Sequence, residues 1–219
     1  MLNRNPLLPY WDAFLKALNV EELSFDELKD GNWETSTFGE GEDSKVITYC
    51  RMNHLLRPRF RDIGLDHDHR LHHHECDLLC ETAPNGEQVP RVAVSGGFRT
   101  DSSTQELRSL CCLATPLKVL LTCAEWCDDP GYWSHGGMKN TLLSEWRQVI
   151  VAHNGLAPQP HIVGVLVGEI KGSTFRLYSL ALGPNGEEIS PHHILIQRSV
   201  KRIRLGRAKP QKSKGPGSN

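Results

Sequence analysis

The fold is decided by residues 75–97, which read ECDLLCETAPNGEQVPRVAVSGG, and by residues 117–122, which read LKVLLT. In the first stretch, a Pro-Asn-Gly turn at residues 84–86 separates two apolar runs, a pattern typical of a β-hairpin. The second stretch is apolar without alternation, which predicts a strand buried on both faces of a sheet. A helix capped at Ser103 or Thr104 is expected to connect the two stretches.

A strand, a helix and a second strand in this order imply a parallel pair with a crossover connection, whereas the hairpin adds an antiparallel neighbour. The sequence therefore predicts an α/β fold with a mixed central β-sheet flanked by helices. Asn154-Gly155 is expected to end a later helix, because Gly is common just beyond a helix C-terminus. Further helices are expected at residues 6–18, 24–28 and 141–154, and further strands at residues 45–49, 161–170 and 175–182.

Composition indicates a globular chain. It has 219 residues, of which 38% are hydrophobic, and a net charge of −1. We expect a single domain at residues 1–205, whose residues 1–45 form an N-terminal helical region, and a disordered basic tail at residues 206–219. No apolar run approaches the roughly 20 residues of a membrane-spanning helix, and the N-terminus lacks a signal-peptide pattern. These features predict a cytoplasmic protein without membrane association, in which most of the seven cysteines are reduced and buried.

Residues 70–126 resemble the PD-(D/E)xK nuclease superfamily in their order of strand, hairpin, strand, helix and strand. The resemblance implies a restriction-endonuclease-like fold and phosphodiester hydrolysis, in which an aspartate and a (D/E)xK pair act on one Mg²⁺ ion. Asp77 falls at the position of the first aspartate. Ser95 falls at the acidic position and Gly97 at the lysine position, so the motif is degenerate in this chain.

Two other carboxylates offer replacements for the missing metal ligands. Glu75 shares a strand face with Asp77, and Glu106 lies on the following helix. The resemblance thus implies an impaired or rewired nuclease site, with Asp77, Ser95 and Glu106 as catalytic residues and Glu75 with Asp77 as Mg²⁺ ligands. The open alternative is a non-catalytic interaction or DNA-binding module that uses the sheet as a scaffold.

A histidine-rich segment precedes the first strand of the hairpin. Residues 66–77 contain five histidines, four carboxylates and one thiol. All of these groups are zinc ligands. The histidine-rich segment at residues 67–76 therefore predicts a Zn²⁺-binding protein as a further alternative. The spacing matches no familiar zinc motif, and a solvated polar loop is the competing interpretation.

Charge is unevenly distributed along the chain. Beyond Glu188 there are eight Lys and Arg residues and no acidic residue, so this segment carries a charge of +8 and the rest of the chain −9. A basic segment of this kind attracts phosphate groups, although a solubilising, disordered terminus has the same composition. Alternating arginines at residues 57–61 offer a second basic face. The predicted nucleic-acid contacts are Arg57, Arg59, Arg61, Lys201, Arg202 and Arg204.

Overall fold

A computed structural model describes residues 5–18, 66–67, 76–96 and 100–199, without the side chains of residues 66, 67, 77, 100 and 101. These residues form three α-helices and seven β-strands. The helices are α1 (Leu8–Ala17), α2 (Thr100–Cys111) and α3 (Lys139–Leu156). The strands are β1 (Asp66–His67), β2 (Asp77–Thr82), β3 (Gln88–Gly96), β4 (Leu117–Cys123), β5 (Ile162–Lys171), β6 (Thr174–Leu182) and β7 (Glu188–Ser199).

All seven strands join one sheet in sequence order, from β1 to β7. Strands β3, β4 and β5 run parallel, whereas β1, β2 and β3, and likewise β5, β6 and β7, pair antiparallel. Helices α2 and α3 make the crossover connections that parallel neighbours require. The predicted α/β fold with a mixed sheet is therefore confirmed, with six strands of six or more residues and the two-residue β1. Its restriction-endonuclease-like form is not confirmed.

Strand β4 lies at the centre of the sheet, and all seven of its residues are buried, as its continuous apolar run predicts. On one face of the sheet, Leu120 packs in a core that includes Leu107 of α2 and Trp146 of α3. On the other face, Val119 packs in a core that includes Trp11 of α1. The sheet is thus sandwiched between α1 and the α2–α3 pair.

Gly164 of β5 makes room for Trp11. A Cβ atom built on Gly164 would lie 2.2 Å from Cζ3 of the indole, so no larger side chain fits while Trp11 keeps its place. The absence of a side chain at Gly164 therefore allows α1 to pack at this place on the sheet.

Two hairpins contain the same turn, Pro-Asn-Gly-Glu, at residues 84–87 and 184–187. The glycine of each turn has a positive φ, 85° at Gly86 and 73° at Gly186, which few other residues adopt. The first turn confirms the predicted hairpin between β2 and β3. The second joins β6 to β7, a strand of 12 residues that the sequence patterns did not predict.

Two helix termini differ from the prediction. Helix α2 begins at Thr100 rather than at Ser103, and the buried Ser103 hydroxyl accepts a hydrogen bond from Nε1 of Trp146 at 3.2 Å. Helix α3 continues through the expected stop at residues 154–155 to Leu156. The glycine there does not adopt the positive φ that a C-terminal cap of this kind requires.

Some sequence predictions lie outside the described residues. These are the helix at residues 24–28, the strand at residues 45–49 and the tail at residues 206–219. Among the helices that the structure describes, none combines the length and the apolar character needed to cross a membrane. Six of the seven cysteines are described, and four of them are buried.

Candidate functional site

The structure brings two of the predicted catalytic residues together. Ser95, which is 2% exposed near the end of β3, donates a hydrogen bond from Oγ to Oε2 of Glu106 on α2. Asp77 pairs with Val94 in the β2–β3 ladder, so the two motif-bearing strands are neighbours; its side chain is not described. The Ser95–Glu106 bond joins a strand to the helix that covers it, which accounts for it as a structural contact. A catalytic role of these residues stays a prediction.

The predicted metal ligands lie largely outside the described residues. Glu75 lies outside the described residues. Of the histidine-rich segment at residues 67–76, the structure describes only the backbone of His67 and the buried Cys76. Among the side chains that the structure does describe, no three His, Cys, Asp or Glu groups could together hold a metal ion. Binding of Mg²⁺ or Zn²⁺ therefore stays a prediction.

Three titratable groups are buried near the N-terminal end of the parallel strands. Lys118 of β4 is 1% exposed, and His161, just before β5, is 3% exposed. Burial lowers the pKa of Lys118. Burial, and then the charge of Lys118, lower the pKa of His161 to about 4. Burial raises the pKa of the Cys111 thiol to about 11, so this thiol is not an activated nucleophile.

The hydrogen bond of His161 fixes its tautomer. Nδ1 lies 2.9 Å from the carbonyl oxygen of Gln159, and because a carbonyl can only accept, Nδ1 carries the proton. Nε2 is buried and has no hydrogen-bond partner in the part of the chain that the structure describes. Groups this deeply buried do not contact a ligand from solution, so they affect the stability of the protein and not ligand binding.

A buried carboxylate organises the opposite end of the parallel strands. Glu169 of β5 is 1% exposed. Its Oε1 accepts hydrogen bonds from the backbone N–H of Trp126 (2.7 Å) and Cys127 (2.8 Å) and from Nε1 of Trp133 (2.9 Å). Its Oε2 accepts a hydrogen bond from the Tyr178 hydroxyl at 3.0 Å. Burial, with the nearby charge of Glu169, raises the pKa of Tyr178, so this hydroxyl stays a donor at neutral pH.

Two cationic side chains lie over aromatic rings of the loop between β4 and α3. The rings of Tyr132 and Trp133 are nearly perpendicular, at 86°, with centroids 5.6 Å apart. Nζ of Lys171 lies 4.0 Å from the ring centroid of Tyr132 and 4.8 Å from that of Trp133. The guanidinium carbon of Arg176 lies 4.8 Å from the Tyr132 centroid. All three are cation–π distances, and we refer to Tyr132, Trp133, Lys171 and Arg176 as the aromatic–cation surface.

Neighbouring strands hold Arg176 in place. Arg176 lies opposite Gln197 in the β6–β7 ladder, and its Nε donates a hydrogen bond to Oε1 of Gln197 at 3.0 Å. Its other neighbour in the sheet is Glu169, whose Oε2 lies 3.9 Å from a terminal guanidinium nitrogen. The Arg176 side chain keeps 21% of its surface exposed, so a polyanion in solution can reach it.

The chain continues from this surface into its most basic segment. Ser199, the last residue of β7, pairs with Thr174 at the start of β6, which in turn pairs with Lys171. Residues 200–214 then contain seven Lys and Arg residues and no acidic residue. The predicted contacts Arg57, Arg59, Arg61, Lys201, Arg202 and Arg204 lie outside the described residues.

Acidic residues of the same loop oppose this positive charge. Asp128 and Asp129 are both exposed. An oxygen of Asp128 lies 3.4 Å from Nζ of Lys139, so that carboxylate is partly neutralised by its own neighbour. Asp129 lies in the same turn as Tyr132, whose backbone N–H donates to the Asp129 carbonyl oxygen at 3.0 Å, so an acidic side chain lies in the loop that carries the aromatic–cation surface.

Neither Glu169 nor the aromatic–cation surface was predicted from the sequence. One signal was present, since Glu169 interrupts the otherwise apolar run IVGVLVGEI at residues 162–170. A carboxylate inside such a run must find hydrogen-bond donors, because burying an unpaired charge is costly. The donors come from a loop more than thirty residues earlier, which strand periodicity does not reveal.

Comparisons with known proteins add little to this geometry. No family model matches the chain, and no curated protein matches it. Among solved structures, a carbon–nitrogen hydrolase from Helicobacter pylori is similar to it, with 9% sequence identity and a TM-score of 0.35 over 90% of this chain and 82% of that chain. A likeness this slight carries no argument about activity.

The interpretation of the chain as a PD-(D/E)xK relative is wrong. No family model and no curated protein supports it. The resemblance rested on an order of strands and helices that many α/β folds share. Two of the three motif positions hold Ser95 and Gly97, so Asp77 alone matched the nuclease motif.

Proposed function

We propose that the protein is a non-catalytic module that binds nucleic acid through the aromatic–cation surface and the basic segment after β7. The observation that carries the proposal is the position of Lys171 and Arg176 on the rings of Tyr132 and Trp133. These groups lie at the end of the sheet from which the chain continues into residues 200–214.

The chemistry of these groups suits a nucleic acid. Lys and Arg neutralise phosphates and release condensed counterions, which supplies most of the affinity of sequence-independent binding. Aromatic rings beside such cations provide faces on which unpaired bases stack. His161, whose pKa is lowered to about 4, is buried at the other end of the parallel strands, and Tyr178, whose pKa is raised, stays a hydrogen-bond donor to Glu169. A binding role therefore fits this surface better than acid–base catalysis does.

The surface is also ordered before any ligand binds. Trp133 donates its indole N–H to Glu169, and Arg176 donates to Gln197. Groups that are already held in place lose little conformational entropy on binding, so more of their interaction energy remains as affinity.

Fluorescence anisotropy of a fluorescein-labelled oligothymidylate, measured at increasing NaCl concentration, tests the proposal. Each phosphate contact to a single strand contributes roughly 0.7 to the slope of log K against log salt. We expect Lys171→Gln to reduce the slope by roughly 0.7, and joint replacement of Lys201, Arg202 and Arg204 by Gln to reduce it by roughly 2. Arg108→Gln is the matched control, because Arg108 is an exposed arginine on α2.

Two results would contradict the proposal. One is no salt-dependent binding of the wild-type protein to single-stranded or duplex DNA or RNA. The other is binding that Arg108→Gln weakens as much as Lys171→Gln does. The zinc alternative is tested separately by metal analysis of tag-free protein, and the cytoplasmic location stays a prediction.

A further inference from the structure

The loop between β4 and α3 contains turns and bends but no helix or strand, and three of its N–H groups donate hydrogen bonds to Glu169. Buried backbone N–H groups need acceptors, and Oε1 of Glu169 supplies one to both Trp126 and Cys127. The same oxygen accepts the indole N–H of Trp133. One carboxylate oxygen thus fixes two backbone positions and one ring of the loop.

The charge of Glu169 acts on the cations as well. Oε2 lies 3.9 Å from the guanidinium of Arg176, whose carbon stands over the Tyr132 ring. The Trp133 indole donates to an anionic acceptor, which makes its ring more electron-rich and strengthens its attraction for Lys171. Both the position and the charge of the carboxylate therefore shape the surface.

We infer that Glu169 is the positioning residue of the aromatic–cation surface, holding its loop by hydrogen bonds and Arg176 by charge. The inference rests on the proposed nucleic-acid binding, and it assigns the orientation of that surface to one buried side chain. Glu169 makes no contact with the ligand itself, because it is 1% exposed.

Two substitutions separate the effect of shape from the effect of charge. In Glu169→Gln, the amide oxygen can take the place of Oε1 and keep the three N–H donors. The amide nitrogen then faces the Tyr178 hydroxyl, which can accept a hydrogen bond from it. The same nitrogen also faces Arg176, which it does not attract. Glu169→Gln therefore keeps the loop and removes the negative charge beside Arg176, which retains its hydrogen bond to Gln197, whereas Glu169→Ala removes both the charge and the acceptor of the loop.

The test measures the ¹H–¹⁵N indole resonance of Trp133, assigned with Trp133→Phe, and the Kd for fluorescein-labelled oligothymidylate. We expect the resonance to be retained in Glu169→Gln and to move upfield in Glu169→Ala. We expect Kd to rise roughly threefold in Glu169→Gln and roughly tenfold in Glu169→Ala, as loss of one and then of several weak contacts implies. Glu87→Gln, which changes an exposed carboxylate in the turn between β2 and β3, is expected to leave both quantities unchanged.

The outcomes distinguish this inference from the proposed function. If the wild type binds no oligonucleotide, the proposed function fails, and the positioning role for that ligand fails with it. If the wild type binds and a folded Glu169→Ala binds equally well, the proposed function survives and the positioning role is overturned. If Glu169→Ala does not fold, Glu169→Gln decides, because an affinity equal to that of the wild type contradicts the role of the charge.

Discussion

His161 makes the stability of the protein depend on pH. Its usual pKa of 6.5 is lowered to about 4 by burial and by the charge of Lys118. As the pH falls below 6.5, the imidazole of the unfolded chain takes up a proton, whereas that of the folded protein does so only near pH 4. The unfolded state binds more protons in this range, so the free energy of unfolding decreases as the pH falls from 6.5 to 4.

The size of the effect follows from the two pKa values. They differ by about 2.5, and one pKa unit corresponds to about 1.4 kcal/mol, so the loss of stability is about 3 kcal/mol. The structural reason is that a protonated ring would lie near Lys118, with its Nε2 proton lacking an acceptor among the described residues.

Urea denaturation at a series of pH values between 4 and 7 measures this loss. His161→Asn removes the titration, and its amide nitrogen can replace Nδ1 as the donor to the Gln159 carbonyl. We expect the difference in stability between wild type and His161→Asn to change by about 3 kcal/mol over this range. His135→Gln, at an exposed histidine, is expected to keep the wild-type pH dependence. The same pH dependence in wild type and His161→Asn would refute the reasoning.

Further predictions concern packing and buried charge. Lys118→Met keeps the volume and removes a buried amine, so we expect the free energy of unfolding at neutral pH to rise by roughly 1 kcal/mol in urea titrations. The same change should raise the pKa of His161, measured by NMR of the imidazole; an unchanged pKa would show that the two groups are not coupled. Gly164→Ala brings a Cβ to 2.2 Å from Trp11 and should destabilise the protein by roughly 1–3 kcal/mol. Gly155→Ala, a helical position with open space, should instead stabilise it by roughly 0.5–1 kcal/mol, and equal effects of the two alanines would contradict the packing of α1.

The parts of the fold that the sequence predicted are those with a single dominant signal. Strand β4 is buried throughout, as its continuous apolar run predicts. The turn at residues 84–86 has an Asn-Gly pair, and the hairpin forms there. Strand β7 was not predicted because it is a mostly exposed edge strand and contains Pro191 and two histidines. Pairing with β6 overrides these poor strand propensities, as tertiary context often does.

The candidate site was harder to predict because it is assembled from distant segments. Ser95 and Glu106 are close in sequence, and their contact could be anticipated from one strand and the next helix. Glu169 meets Trp126 and Trp133 only because β4 and β5 are neighbours, so the loop after β4 folds over the end of β5. Side-chain contacts of this kind depend on the path of a loop without repeating pattern, which periodicity does not encode.

The most direct test of nucleic-acid binding is the slope of log K against log salt for wild type and for a variant in which Lys171 and Arg176 are both Gln. For oligothymidylate we predict a linear decrease of log K for the wild type and a slope smaller by roughly 1.4 in the variant, since two phosphate contacts are lost. A wild-type affinity that does not change with salt, or identical slopes for the two proteins, would contradict the account.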